Sequence, residues 1–286
     1  LLHNDDYEIR NKVVVTPAGR KKYLEILLKY LIKAKNENQF DRWDLWLNTN
    51  VNDDINYCEM LTNLYDWIKI VRLNVNSVYK MENIFKFFKF ANDINTIYIR
   101  LDDDIVYLEP TFLHKMFNFR LANEEPFIIY GNIINNAVIS HFHQKNELLN
   151  INYHKTVSCE CLDYTGTHDY MFCEEIHNKF IDSVKNNEIH NWYTSFNILN
   201  TNKKRVSVNC VSWFGKSFDN LNEIINSNIL VDEEMWLSVI IPEMYNKYNL
   251  IYNEAIVSHF AFCTQREELE KNTNILQKYK ELSCNI

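Results

Sequence analysis

Three consecutive carboxylates, Asp102-Asp103-Asp104, follow directly on the apolar run Thr96–Leu101 (TIYIRL). Adjacent like charges repel, so a chain that holds them together in a cleft must compensate them. A divalent cation that prefers oxygen, Mg2+ or Mn2+, is the natural counter-ion. The plain alternative is a solvated acidic loop; against it, the triplet is hemmed by apolar, β-branched residues such as Ile105 and Val106. A second acidic run, Asp232-Glu233-Glu234, opens a helical pattern with Met235, Leu237, Val239 and Ile240, where acids suit the helix dipole. The same position would let Asp232 or Glu233 take a proton from an attacking hydroxyl, and the sequence does not separate the two.

Other groups offer weaker chemistry. Ser212-Trp213-Phe214-Gly215 sets an aromatic pair beside a glycine, a flat platform for a sugar ring or equally a core aromatic ahead of a turn. Gly131-Asn132-Ile133-Ile134-Asn135-Asn136 presents amides to sugar hydroxyls, or forms a turn and a helix cap. His154, Cys159, Cys161, His168, Cys173 and His177 fall within 24 residues. Their spacing does not match the paired short spacings of zinc modules, which favours buried thiols and surface histidines over a zinc site. Residues 84–90 interleave aromatics with lysines. Such a face suits a membrane surface or a lipid-linked acceptor, but a helix covering its own sheet is the stronger reading.

These groups need elements to position them. The β-branched run at 12–16 predicts a strand, and 20–35 predicts a helix with Tyr23, Leu24, Leu27, Leu28, Leu31 and Ile32 on one face. Strands follow at 43–47, 67–73 and 96–101, with helices at 53–65, 80–91 and, opened by Pro110, 110–122. Strands separated by helices of this length imply βαβ units in a mainly parallel, mixed α/β sheet flanked by helices. Ligands bind such sheets beyond the carboxyl ends of the strands, so the loops 16–20, 48–53 and 102–104 matter most. Residues 132–200 lack clear period and read as a substrate-shaping excursion. A strand at 205–211, a helix at 233–241, a strand at 255–262 and a helix from about Gln265 complete the pattern. We expect one domain over residues 1–286, with a nucleotide-binding half at 12–126 and an acceptor and catalytic half at 127–286.

The turn V-T-P-A-G-R (Val15 to Arg20), the segment R-L-D-D-D-I-V (Arg100 to Val106) and the segment D-E-E-x-W (Asp232 to Trp236) occur in an order that resembles bacterial-type glycosyltransferases of GT-A (Rossmann-like) fold, from about Val13 to Arg266. The resemblance implies transfer of a sugar from a metal-bound nucleotide sugar, by default a UDP-sugar, to a hydroxyl of a glycan or glycolipid. It implies that Asp104 binds Mn2+ or Mg2+, that Asp102 contacts the ribose or the metal, and that His259 is a further metal ligand. It also implies that Thr16, Ala18 and Arg20 line the nucleotide pocket with Asp102; Arg100 and Asp103 are further nucleotide candidates, and Trp213 and Gly215, by residue type, face the sugar. Asp232 or Glu233 would be the base, although the family order of Glu then Asp is not matched. A metal held there would stabilise charge on the departing phosphate, with Arg20 or Arg100 as a second cation. A metal-dependent nucleotidyltransferase or phosphoesterase using the same acids is the alternative, and a carbohydrate-binding module is a further one, disfavoured by the α/β alternation.

Composition narrows the field. The 286 residues carry a net charge of −8, which disfavours a nucleic-acid partner. Seven cysteines is an odd and small number for a disulfide scaffold, and the chain has no N-x-S/T sequon. Both lean toward a reducing, cytoplasmic setting, with peripheral membrane contact as an option through 84–90. Four glycines and four prolines are few for this length, so each marks a place where the backbone is specialised.

Overall fold

The computed structural model describes residues 8–73, 81–149, 156–193, 198–221 and 232–286. β1 (Asn11–Ala18), α1 (Lys21–Asn36), β2 (Arg42–Leu47), α2 (Asn52–Leu64) and β3 (Ile68–Val71) alternate as the periodicity predicts. A 3-10 segment, Met81–Phe90, precedes β4 (Thr96–Leu101), β5 (Ile105–Leu108) and α3 (Phe112–Ala122). Then come β6 (Ile129–Ile134), α4 (Ala137–Lys145), α5 (Tyr164–His168), α6 (Tyr170–Lys185), β7 (Ile198–Asn200) and β8 (Cys210–Phe214). Residues 233–244 form α7, which passes through a π-helical turn at Trp236–Ile240, and β9 (Leu250–His259), α8 (Cys263–Asn272) and α9 (Ile275–Ser283) follow.

Among the described residues nine strands form one mixed sheet in the order β3-β2-β1-β4-β8-β6-β9-β5, with β7 added on β9. β1, β2, β3 and β4 are mutually parallel, as right-handed βαβ crossovers require, whereas β8 runs antiparallel to both β4 and β6. Every residue of β4 is buried, because strands flank it on both sides and helices cover its faces. α1 buries Tyr23, Leu24, Ile26, Leu27, Tyr30, Leu31 and Ala34, the stripe its spacing predicts.

Two expectations change, one strand was missed, and the stronger reading of 84–90 holds. Residues 132–200 are not an aperiodic excursion: they hold α4, α5 and α6, the last burying Phe172, Cys173, Ile176, His177, Phe180 and Ile181. The strand expected at 205–211 pairs instead at Cys210–Phe214; Val206 and Val208 are buried without a ladder partner, so their apolar signal reports burial, not pairing. β5 was not expected, since four residues after a tight turn are too short for a period to register. The aromatics of 84–90 turn inward: Phe87 and Phe88 are fully buried against Trp46, and Phe85 stacks on Trp236. That removes most of the apolar face a membrane would need. Among the described residues no helix is long and apolar enough to cross a membrane.

Candidate functional site

Because β1 and β4 are parallel neighbours, with Val15 beside Arg100, the turn after β1 and the acid triplet after β4 emerge side by side. The triplet is the tight turn between β4 and β5, closed by the Ile105 amide on the Asp102 carbonyl (3.1 Å). Asp103 accepts from the Gly19 amide (3.0 Å) and from Arg20 Nε (2.9 Å). A Cβ on Gly19 would lie 3.3 Å from the Asn48 carbonyl oxygen, so glycine lets these loops approach. Asp104 Oδ2 receives two guanidinium groups, Arg20 Nη1 at 3.2 Å and Arg266 Nη2 at 2.7 Å. Both guanidiniums stand within cation–π range of the Tyr23 ring.

Asp103 and Asp104 are 3% and 1% exposed, so neither is a solvated loop acid. Burial alone would raise both pKa values. At Asp104, Arg20, His259 and Arg266 outweigh burial and hold it ionised well below the usual carboxylate range. At Asp103 burial prevails over Arg20, and the adjacent acids add to the upward shift. The result is an asymmetric pair, one carboxylate firmly charged and one protonated more readily.

Asp102 turns the other way. It pairs with Arg100 Nη2 (2.8 Å) and accepts from Asn209 Nδ2 (3.2 Å). The buried Arg100 also pairs with Glu233, which links α7 to β4. Burial pushes Glu233 up to about 7 against the pull of Arg100. This separates the two residues that sequence alone could not: Glu233 joins the acid–arginine cluster, while the half-exposed Asp232 caps α7 through the Met235 amide (2.9 Å) and pairs with Arg205 (3.0 Å).

His259, at the end of β9, places Nε2 3.5 Å from Asp104 Oδ2 and donates from Nδ1 to the Asn135 carbonyl (3.1 Å). His259 Nε2 faces Asp104 Oδ2, and Asp104 Oδ1 is buried without a partner. A divalent cation fits the chemistry of those atoms. The expected set of Asp102, Asp104 and His259 is not assembled, however, because Asp102 faces Arg100. Among the described residues no three His, Cys, Asp or Glu side chains converge as a metal site.

Other expected residues lie away from the cluster. Thr16 is fully buried and its hydroxyl accepts from Trp43 Nε1 (2.9 Å); Ala18 is likewise buried in the core. Trp213 is no sugar platform: it is wholly enclosed, stacks on Tyr98 and donates Nε1 to the Ala91 carbonyl (3.0 Å). Gly215 packs against the Asp93 backbone, which a Cβ there would meet. The amides of 131–136 serve the interior: Asn132 bridges the Trp192 and Asn253 carbonyls, and Asn136 caps α4 while holding Asn209, which in turn holds Asp102. No zinc site forms among the described Cys and His; Cys173 and His177 both bond the Phe260 carbonyl, and His154 lies outside the described residues. The seven cysteines are free thiols.

Sequence reading missed Arg266 and Asn209. Neither carries a local motif, and Arg266 meets its acid across 162 residues. An open cavity of about 490 Å³, lined by Cys263, Arg266, Glu267, Glu270 and Lys271, lies on the α8 side of the cluster.

No family model matches the chain, and no curated protein does. Two solved structures resemble it at low identity. One is 4-diphosphocytidyl-2C-methyl-D-erythritol synthase from Anaerococcus prevotii DSM 20548, at 14% identity and TM-score 0.47 over 95% of this chain and 100% of that one. The other is CMP:2-keto-3-deoxy-manno-octonic acid synthetase complexed with CTP, at 9% identity and TM-score 0.49 over 97% of this chain and 100% of that one. Neither is a glycosyltransferase by its name, and the expectation of sugar transfer from a UDP-sugar to a glycan or glycolipid hydroxyl is withdrawn.

Proposed function

We propose that this chain is a nucleotidyltransferase, which takes a nucleoside triphosphate, joins its nucleotidyl group to an acceptor oxygen and releases pyrophosphate. One observation carries the reading: two arginines from opposite ends of the chain, Arg20 and Arg266, converge on Asp104 beyond the carboxyl ends of β1 and β4. Such a pair suits the charge that gathers on a departing pyrophosphate, since guanidinium groups bind phosphate oxygens in a planar fork. The β1–α1 turn adds the positive end of a 16-residue helix.

Asp104 and His259 would hold a divalent cation together with phosphate oxygens and water, the usual pattern for magnesium at nucleotide sites. When bound, that cation supplies Lewis-acid stabilisation of phosphate charge. Arg20 and Arg266 then orient the triphosphate, Asp103 fixes Arg20, and Arg100 with Glu233 fixes Asp102.

Calorimetric titration of the four ribonucleoside triphosphates, with and without magnesium, tests this reading, and pyrophosphate release is followed with a pool of small hydroxylated acceptors. Magnesium-dependent binding of at least one triphosphate is expected. Arg266→Ala should weaken it at least about tenfold, the scale of a lost charge-assisted contact. Triphosphates that bind no better than their nucleosides would overturn the proposal.

A further inference from the structure

α6 buries a histidine that the cluster above does not touch. His177 is fully enclosed, and its Nε2 lies 2.7 Å from the Phe260 carbonyl oxygen. A carbonyl only accepts, so Nε2 carries the proton and Nδ1 is left as an acceptor. Nδ1 receives the Tyr279 hydroxyl from α9 at 2.8 Å. Ser258 Oγ completes the group, 2.8 Å from the Tyr279 hydroxyl and 3.3 Å from Nδ1. Burial lowers the His177 pKa to about 3, which keeps the ring neutral and this tautomer in place.

The two residues of β9 and its exit that His177 touches, Ser258 and Phe260, flank His259. The Phe260 peptide also reaches the acid triplet, since its amide donates to the Asp104 carbonyl at 2.9 Å. One imidazole therefore meets the Ser258 hydroxyl on one side of His259 and the Phe260 carbonyl on the other, and Phe260 in turn donates its amide to the backbone of Asp104.

We infer that His177, held in one tautomer by Tyr279 and Ser258, is a positioning residue that sets His259 against Asp104. The inference rests on the nucleotide-binding reading of that site. Outer partners of this kind commonly alter ligand affinity about tenfold to a hundredfold without touching the ligand.

Two substitutions separate positioning from packing. In His177→Gln the amide nitrogen falls near the Nε2 position and can still donate to Phe260. In His177→Asn the amide oxygen falls near the Nδ1 position and can still accept from Tyr279, whereas the Phe260 carbonyl loses its histidine donor and keeps Asn135 Nδ2 (3.1 Å) and Cys173 Sγ (3.5 Å). Both lose one bond, and similar losses in melting temperature are expected. Affinity for CTP with magnesium, measured well below either melting point, should fall about tenfold in His177→Asn and stay within about threefold of the parent in His177→Gln. Equal affinity in the two variants overturns the assignment. If His177→Asn does not fold, Tyr279→Phe replaces it: a severalfold loss of affinity is expected, and none overturns the assignment. Hydrogen exchange at the Phe260 amide gives a readout without nucleotide, with protection lost in His177→Asn and kept in His177→Gln. A parent chain that binds no triphosphate ends the nucleotidyltransferase reading, and the Phe260 amide then decides the positioning role alone.

Discussion

At Glu233, burial and Arg100 pull in opposite directions and burial wins, moving the carboxyl from 4.5 to about 7. The folded chain therefore binds this proton more tightly than the unfolded chain. The stabilisation is fully present below about pH 4.5 and is lost as pH rises through about 7, an effect on the order of 3 kcal/mol for a shift of this size. Asp103, also raised, acts in the same sense at lower pH, whereas Asp104 acts in the opposite sense and loses its contribution only in strong acid. Glu233→Gln, which is always neutral, should flatten the fall in urea-unfolding free energy between pH 5 and 8; a slope as steep as the parent's would contradict this placement. The triplet was legible at this scale because three adjacent carboxylates are a local signal. Arg266, Asn209 and His177 were not, because each matters only through a partner that the fold brings to it.

Elements were read well where period and length were sufficient. The alternation of β1, α1, β2, α2, β3 and β4 follows from runs long enough to show period 2 or 3.6. β8 was misplaced by five residues at its start because Val206 and Val208 are buried outside the ladder, and hydrophobicity does not distinguish burial from pairing. The glycine after β8 permits a sharper test of an element boundary. A Cβ on Gly215 would run into the Asp93 peptide, with the carbonyl carbon 2.7 Å away, whereas at Gly19 the nearest atom is a carbonyl oxygen at 3.3 Å. Gly215→Ala should therefore cost about 2–3 kcal/mol in unfolding free energy, the scale of a forced backbone shift, and Gly19→Ala about 1 or less. Thermal melts of the two variants check the order, and Gly19→Ala melting lower would reverse it.

Across the whole molecule, stability is graded by place in the sheet. β4 has all six residues buried, while β3 lies at the edge with only Ile68 buried. Amide exchange should be at least about a hundredfold slower in β4 than in β3, as expected between a sheet centre and its rim. Equal protection would mean that the sheet opens only as one unit. The wiring across this sheet has a further consequence for the chain as it is made. Lys22 on α1 meets Glu270 across 248 residues, and Asp104 waits for Arg266 across 162. At ribosomal speeds of 5–20 residues per second, the second interval lasts roughly 10–30 s. Throughout that time Asp104 has one of its two guanidiniums, Arg20, while Asp102 already has Arg100. Charge balance at Asp104 is thus acquired late, and translation stalled before α8 leaves a chain that carries the acids without their second guanidinium.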